Sequence, residues 1–178
     1  MTSIRSWLCA ALVAGLVAST AFSAGAESLT VFVVRHAEKE TTGADPSLTE
    51  AGRERAESLA VMLADAGVTA IFSSEFKRTQ ETAAPIAKRL GLSVTVVPGK
   101  DVDALLSKVR AVAPAGRVLI VGHSNTVPEL VKSLTGVTVA ELTDADYDRL
   151  YVGTLNNEGN GDVLLLHYGA PVARTKQR

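Results

Sequence analysis

The chain predicts an α/β fold, a three-layer αβα sandwich built on a mostly parallel central sheet. Two observations carry that prediction. Short runs rich in apolar and β-branched residues (Leu29 to Val34, Val68 to Phe72, Ser93 to Val97, Arg117 to Val121) alternate with longer stretches whose apolar residues recur at helical spacing. That alternation is the pattern of a sheet covered by helices on both faces. The first run, Leu-Thr-Val-Phe-Val-Val, is also apolar almost throughout, as suits a strand buried on both sides.

From the start of the chain, residues 1–26 are expected to be a signal peptide cleaved after Ala26. Arg5 supplies a positive n-region, Trp7 to Val17 a short apolar core, and Ala24-Gly25-Ala26 a small-residue cleavage signature. The expected location is periplasmic or secreted. Cys9, the only cysteine, leaves with this segment, so no disulfide, thiolate nucleophile or cysteine metal site is expected. Arg5 is the only charged residue removed, which leaves 152 residues with 17 basic and 19 acidic side chains, a net charge of −2. Near neutrality without basic clusters argues against nucleic acid or an anionic membrane as the main partner. Residues 27–178 contain no internal repeat or linker and are long enough for one substantial core.

Each element has a local reason. Leu29 to Val34 is the first strand, and the polar stretch Ala37 to Ser47 is a loop. Thr49 is placed to cap a helix running to about Ala66, with Ala56, Leu59, Ala60 and Leu63 as its buried stripe and Gly67 as its stop. The strand Val68 to Phe72 ends in Ser73-Ser74. A helix over about Phe76 to Leu90 follows, stopped by Gly91, with a kink or ladder break expected at Pro85. Next come the strand Ser93 to Val97, a helix from Asp101 to near Ala113, the strand Arg117 to Val121, and a short helix over Pro128 to Leu134. Thr138 to Asp148 is acidic and irregular. Leu150 to Leu155 and Val163 to Tyr168 then form a hairpin around Gly159-Asn160-Gly161.

Polar residues suited to chemistry cluster at strand ends. The first strand runs into Arg35-His36, the second into Ser73-Ser74 with Arg78 a turn later, and the fourth into Gly122-His123. If these strands are parallel, the side chains meet at one sheet edge, where open α/β folds bind ligands. Two guanidinium groups can hold the oxygens of a phosphoryl group in a planar fork, helped by the dipole of the helix beginning near Phe76. One imidazole can attack phosphorus if it is neutral, and a cationic surrounding favours the neutral form.

Arg35-His36-Ala37-Glu38, Leu48-Thr49-Glu50-Ala51-Gly52, Ser73-Ser74 with Arg78-Thr79-Gln80-Glu81-Thr82, and Gly122-His123-Ser124-Asn125 stand in the order of a known family. Over nearly all of residues 27–178 the chain resembles the histidine phosphatase superfamily, also called phosphoglycerate-mutase-like. The resemblance implies that fold, a metal-independent phosphatase without cofactor, and His36 as the nucleophile that becomes phosphohistidine. It implies Arg35, Arg78 and His123 as the phosphate pocket. It also implies a carboxylate that protonates the leaving group from the region after the third strand, where Asp101 is preferred over Asp103. Asp101 equally fits a helix N-cap, and Glu38 and Glu81 are lesser candidates. The expected partner is a small phosphorylated substrate or a phosphorylated protein. The chain departs from the acid-phosphatase and phytase branch, which has an aspartate where Ser124 stands and a further arginine and proline after His36. The segments between motifs are shorter than in the mutases, so hydrolysis is expected, as in the small phosphatases that include phosphohistidine phosphatases.

Other readings are weaker. His167 follows Leu164-Leu165-Leu166 without a partner motif and is expected to be structural. A nucleophile elbow at Ser124 needs glycine two residues on, where this chain has Thr126. A metal held by His36 and His123 would be repelled by the arginines. The competing class is a phosphate-ester binding or sensing protein that keeps the pocket without turnover.

Overall fold

The computed structural model describes residues 28–112, 116–155 and 161–172. The expected signal peptide, residues 1–26, lies outside them, as does most of the hairpin turn. In chain order the elements are β1 (Leu29–Arg35), α1 (Glu50–Met62), β2 (Ala70–Ser73), α2 (Lys77–Leu90), β3 (Val94–Val96), α3 (Val102–Arg110), β4 (Arg117–Gly122), α4 (Val127–Thr135), β5 (Arg149–Leu155) and β6 (Gly161–His167). The strands form one sheet in the order β3-β2-β4-β1-β5-β6. β1 and β4, β4 and β2, and β2 and β3 pair in parallel, while β5 runs antiparallel to both its neighbours.

Side-chain alternation along β1 explains the three layers. Val31 and Val33 face one side, packed with Ile120, Leu106 and Val109 of α3, and Leu130 and Leu134 of α4. Phe32 and Val34 face the other, with Leu119, Leu59 and Ala60 of α1, and Ala83 and Ile86 of α2. The expected stripe of α1 is buried throughout, at Ala56, Leu59, Ala60 and Leu63. Thr49 caps this helix by accepting the Gly52 N–H at 3.1 Å. α2 continues through Pro85 to its left-handed stop at Gly91 (φ 66°). Proline withdraws one N–H from the ladder, while Ala83, Ile86 and Ala87 on either side stay buried. Among the described residues no helix is long and apolar enough to cross a membrane.

Candidate active site

Three adjacent parallel strands bring the site together. In the register of β4 with its neighbours, Gly122 lies beside Arg35 and Val121 beside Ser73. Arg35-His36, Gly122-His123 and Ser73-Ser74 therefore leave the sheet side by side at its carboxyl edge. The His36 N–H donates to the Gly122 carbonyl at 2.9 Å, and the two imidazole rings stand edge to face with centroids 5.4 Å apart. A Cβ on Gly122 would lie 2.9 Å from Thr126 Oγ1, so the tight turn that carries His123 requires glycine there.

His36 is buried, at 3% exposure. Its Nδ1 lies 2.8 Å from the Ala37 carbonyl oxygen. A carbonyl only accepts, so Nδ1 carries the proton and the neutral ring keeps its lone pair on Nε2. Burial pushes the ring's pKa down to about 3, with Arg35, His123 and Arg78 adding to the effect and the Ala37 carbonyl opposing it. The pKa of His123 is pushed down to about 4, by burial first and then by Arg78 and Arg35, against the pull of Glu75. Ser74 Oγ meets His123 Nε2 at 3.0 Å and is itself 2.8 Å from Thr79 Oγ1. Both rings are therefore neutral at physiological pH.

Both predicted arginines reach the same place. The Arg35 guanidinium lies 4.0 Å from the centre of the Tyr147 ring. Its Nη1 donates to the Thr143 carbonyl at 2.8 Å and its Nη2 to Tyr147 Oη at 3.3 Å, with the exposed Asp144 carboxylate 3.6 Å away. The Arg78 guanidinium lies 4.3 Å over the Phe76 ring, and its Nη1 is 3.7 Å from Asp45. The Nε of each arginine is buried with no hydrogen-bond partner. Leaving a buried donor unmet costs about 1–3 kcal/mol, and more when it is charged, so the pair marks a place prepared for an anion. The N-terminus of α2 is partly occupied: Asp45 accepts the Lys77 N–H at 3.1 Å, in place of a cap from Phe76.

The candidate acids separate by partner. Asp101 lines the cleft with Ser73, Ser74, Gly99 and His123, but it is exposed and its Oδ1 accepts the Ala104 N–H at 3.0 Å as the cap of α3. Asp103 is exposed in the first turn of that helix and does not line the cleft. Glu38 is held by Arg55 Nε and Nη2 at 2.9 and 2.7 Å, and Glu81 accepts the Leu48 N–H at 2.7 Å. His167 lies on β6 with Nδ1 3.2 Å from Asp148 Oδ2, apart from the other two histidines. Four neighbours of the site went unnoticed in the sequence: Asp45, Glu75, Phe76 and Tyr147. Glu75 accepts the Gly99 N–H at 2.7 Å. Slight burial would raise its pKa, but this bond together with His123 and Arg78 holds it below the ordinary value. Among the described residues no group of three or more His, Asp or Glu side chains is arranged to hold a metal ion.

This fold and strand-end site define a class. Residues 31–101 match the family model of the histidine phosphatase superfamily (branch 1). The protein histidine phosphatase SixA, solved with tungstate, shares the fold at a TM-score of 0.67 and 24% identity, over 78% of this chain and 96% of that one. A mycobacterial glucosyl-3-phosphoglycerate phosphatase does so at 0.61 and 16%, over 81% and 100%. The PE-PGRS family protein PE_PGRS11 of Mycobacterium tuberculosis is 35% identical over an alignment of 107 residues that covers 54% of this chain and 18% of that protein. The matched part thus spans less than a fifth of that relative's length. Over residues 31–101 the chain therefore matches the histidine phosphatase superfamily, and its fold is the one that these solved phosphatases share.

Proposed function

We propose that the protein is a metal-independent phosphatase that hydrolyses a phosphomonoester or a phosphohistidine through a covalent intermediate on His36. One observation carries this reading: two arginine Nε–H groups lie buried and unpaired beside a neutral imidazole whose Nε2 lone pair is free. In the first step Nε2 of His36 forms a bond to phosphorus as the bond to the leaving group breaks. Arg35, Arg78 and His123 hold the phosphoryl oxygens, where fixed positive charge in a water-poor site stabilises the transition state most. The leaving group takes a proton, with Asp101 as the donor at the cleft. In the second step water attacks phosphorus and gives a proton back to the Asp101 carboxylate, the P–N bond breaks, and phosphate leaves with His36 and Asp101 restored. A small phosphorylated molecule or a phosphorylated protein fits this scheme, consistent with the names of SixA and the mycobacterial phosphatase.

The test uses aryl phosphates with good and poor leaving groups, in the presence of a chelator. The intact protein should hydrolyse both, and His36→Ala should lose about three orders of magnitude or more. Asp101→Asn should slow the poor leaving group more than the good one. Equal loss on both assigns Asp101 to helix capping alone. Oxyanion binding without turnover at any pH would leave a phosphate-ester binding protein. Activity lost to the chelator and restored by a divalent ion would overturn metal independence.

A further inference from the structure

Each arginine of the pocket rests on an aromatic ring, and each of those rings also touches one of the two histidines. Tyr147 lies 4.0 Å beneath the Arg35 guanidinium and its centroid is 6.2 Å from that of His36. Phe76 lies 4.3 Å beneath the Arg78 guanidinium and 5.4 Å from the His123 ring, nearly perpendicular to it. The two rings come from unrelated parts of the chain. Phe76 precedes the first residue of α2. Tyr147 stands in the loop before β5, which Asp146 fastens by accepting the Thr143 N–H and hydroxyl, both at 2.7 Å, and by pairing with Arg149 at 2.7 Å.

We propose that Phe76 and Tyr147 are the positioning residues of the pocket, two aromatic shelves that fix the planes of Arg78 and Arg35 so that both Nε–H edges serve one oxyanion. The inference rests on the phosphatase reading of the site. Stacking engages the face of a guanidinium and leaves its in-plane donors free. The outer edge of each arginine is then tied to protein: Nη1 and Nη2 of Arg35 to Thr143 and Tyr147, and Nη1 of Arg78 to Asp45. On each of them Nε is the buried donor without a partner. A shelf costs the ligand little, because the fork is already oriented before the anion arrives.

Tungstate is the probe, bound to the intact protein and followed by calorimetry, with phosphate-ester KM and kcat measured alongside. Tyr147→Leu and Phe76→Leu should each weaken tungstate by about tenfold and raise KM in proportion, with kcat changed less. Tyr147→Phe and Phe76→Tyr keep a ring and should stay near the intact protein. Leucine variants that fold normally and bind tungstate as the intact protein does would overturn the proposal. So would Tyr147→Phe losing as much as Tyr147→Leu, since the hydroxyl rather than the ring would then matter. A measurement without variants guards against a misfolded leucine mutant. The Nε–H resonances of Arg35 and Arg78 should be protected from solvent exchange in the free protein and shift on saturation with tungstate; rapid exchange in the free state overturns the shelf. No tungstate binding by the intact protein removes the phosphoryl pocket itself, whereas binding with unchanged leucine variants removes only the shelves.

Discussion

At the scale of single residues, the site depends on keeping two imidazoles neutral in a cationic pocket, and this has a cost that pH exposes. Both rings have folded-state pKa values below the ordinary value, about 3 for His36 and about 4 for His123. As pH falls below about 6.5, the ordinary histidine value, the unfolded chain takes up protons that the folded chain refuses. The stability these rings contribute is therefore fully present above that pH and is lost as pH falls toward 4 and then 3. Urea unfolding at pH 7.5, 6 and 5 should show this decline, and it should be shallower in His36→Gln. Parallel curves for the two proteins would show that His36 is not held neutral by its surroundings. Much of this site was legible in the sequence, because Arg35, His36 and His123 are fixed by where a strand ends. Arg78 was legible as a first-turn residue of a helix. Tyr147, Phe76, Glu75 and Asp45 were not: each acts through a contact set by tertiary placement, and nothing local to Thr138–Asp148 marks Tyr147 as the ring that meets Arg35.

Between elements, the loop after β1 must be held firmly if His36 is to keep its tautomer, and several contacts hold it. The Ala37 N–H donates to Thr82 Oγ1 at 3.0 Å, and Thr49 N–H to the Glu38 carbonyl at 2.9 Å. A Cβ on Gly52 would collide with that same carbonyl oxygen, which gives a physical reason for the glycine in Leu48-Thr49-Glu50-Ala51-Gly52. Glu38 completes the fastening. Its carboxylate takes two donors of Arg55, whose Nη1 also donates to the Tyr168 carbonyl at 2.9 Å. The Arg55 side chain is 4% exposed, so Glu38→Ala would strand a buried cation, at a cost of about 3–5 kcal/mol. Glu38→Gln keeps an acceptor and should lose less. Denaturant midpoints for the two variants check this; equal small losses would mean that water enters and solvates Arg55. The sequence offered Glu38 as a minor proton-donor candidate, because its pairing with a helix residue 17 positions on depends on how α1 packs rather than on any local signal.

For the whole molecule, the sheet order is the decisive fact, and only part of it could be read from the chain. The alternation of strands and helices gave the layers and the mostly parallel sheet. The insertion of β4 between β1 and β2, which sets His123 between the other two strand ends, depends on long-range pairing that no local pattern encodes. The same topology bears on export, which we propose for this protein from the leader-like residues 1–26. β1 begins at Leu29, two residues beyond the proposed new terminus at Glu27, and its first residues lie at the edge of the sheet opposite to the one carrying Arg35 and His36. The point of attachment is thus at the far end of β1 from Arg35 and His36, so removal of the leader should change location and leave catalysis intact. The chain beginning at Glu27 should hydrolyse an aryl phosphate with the same kcat/KM as the uncleaved precursor. N-terminal sequencing of the protein recovered outside the cytoplasm of its native cell should read Glu-Ser-Leu-Thr. Recovery only from the cytoplasm, with Met1 or Thr2 at the terminus, would overturn export while leaving the predicted chemistry of the pocket untouched.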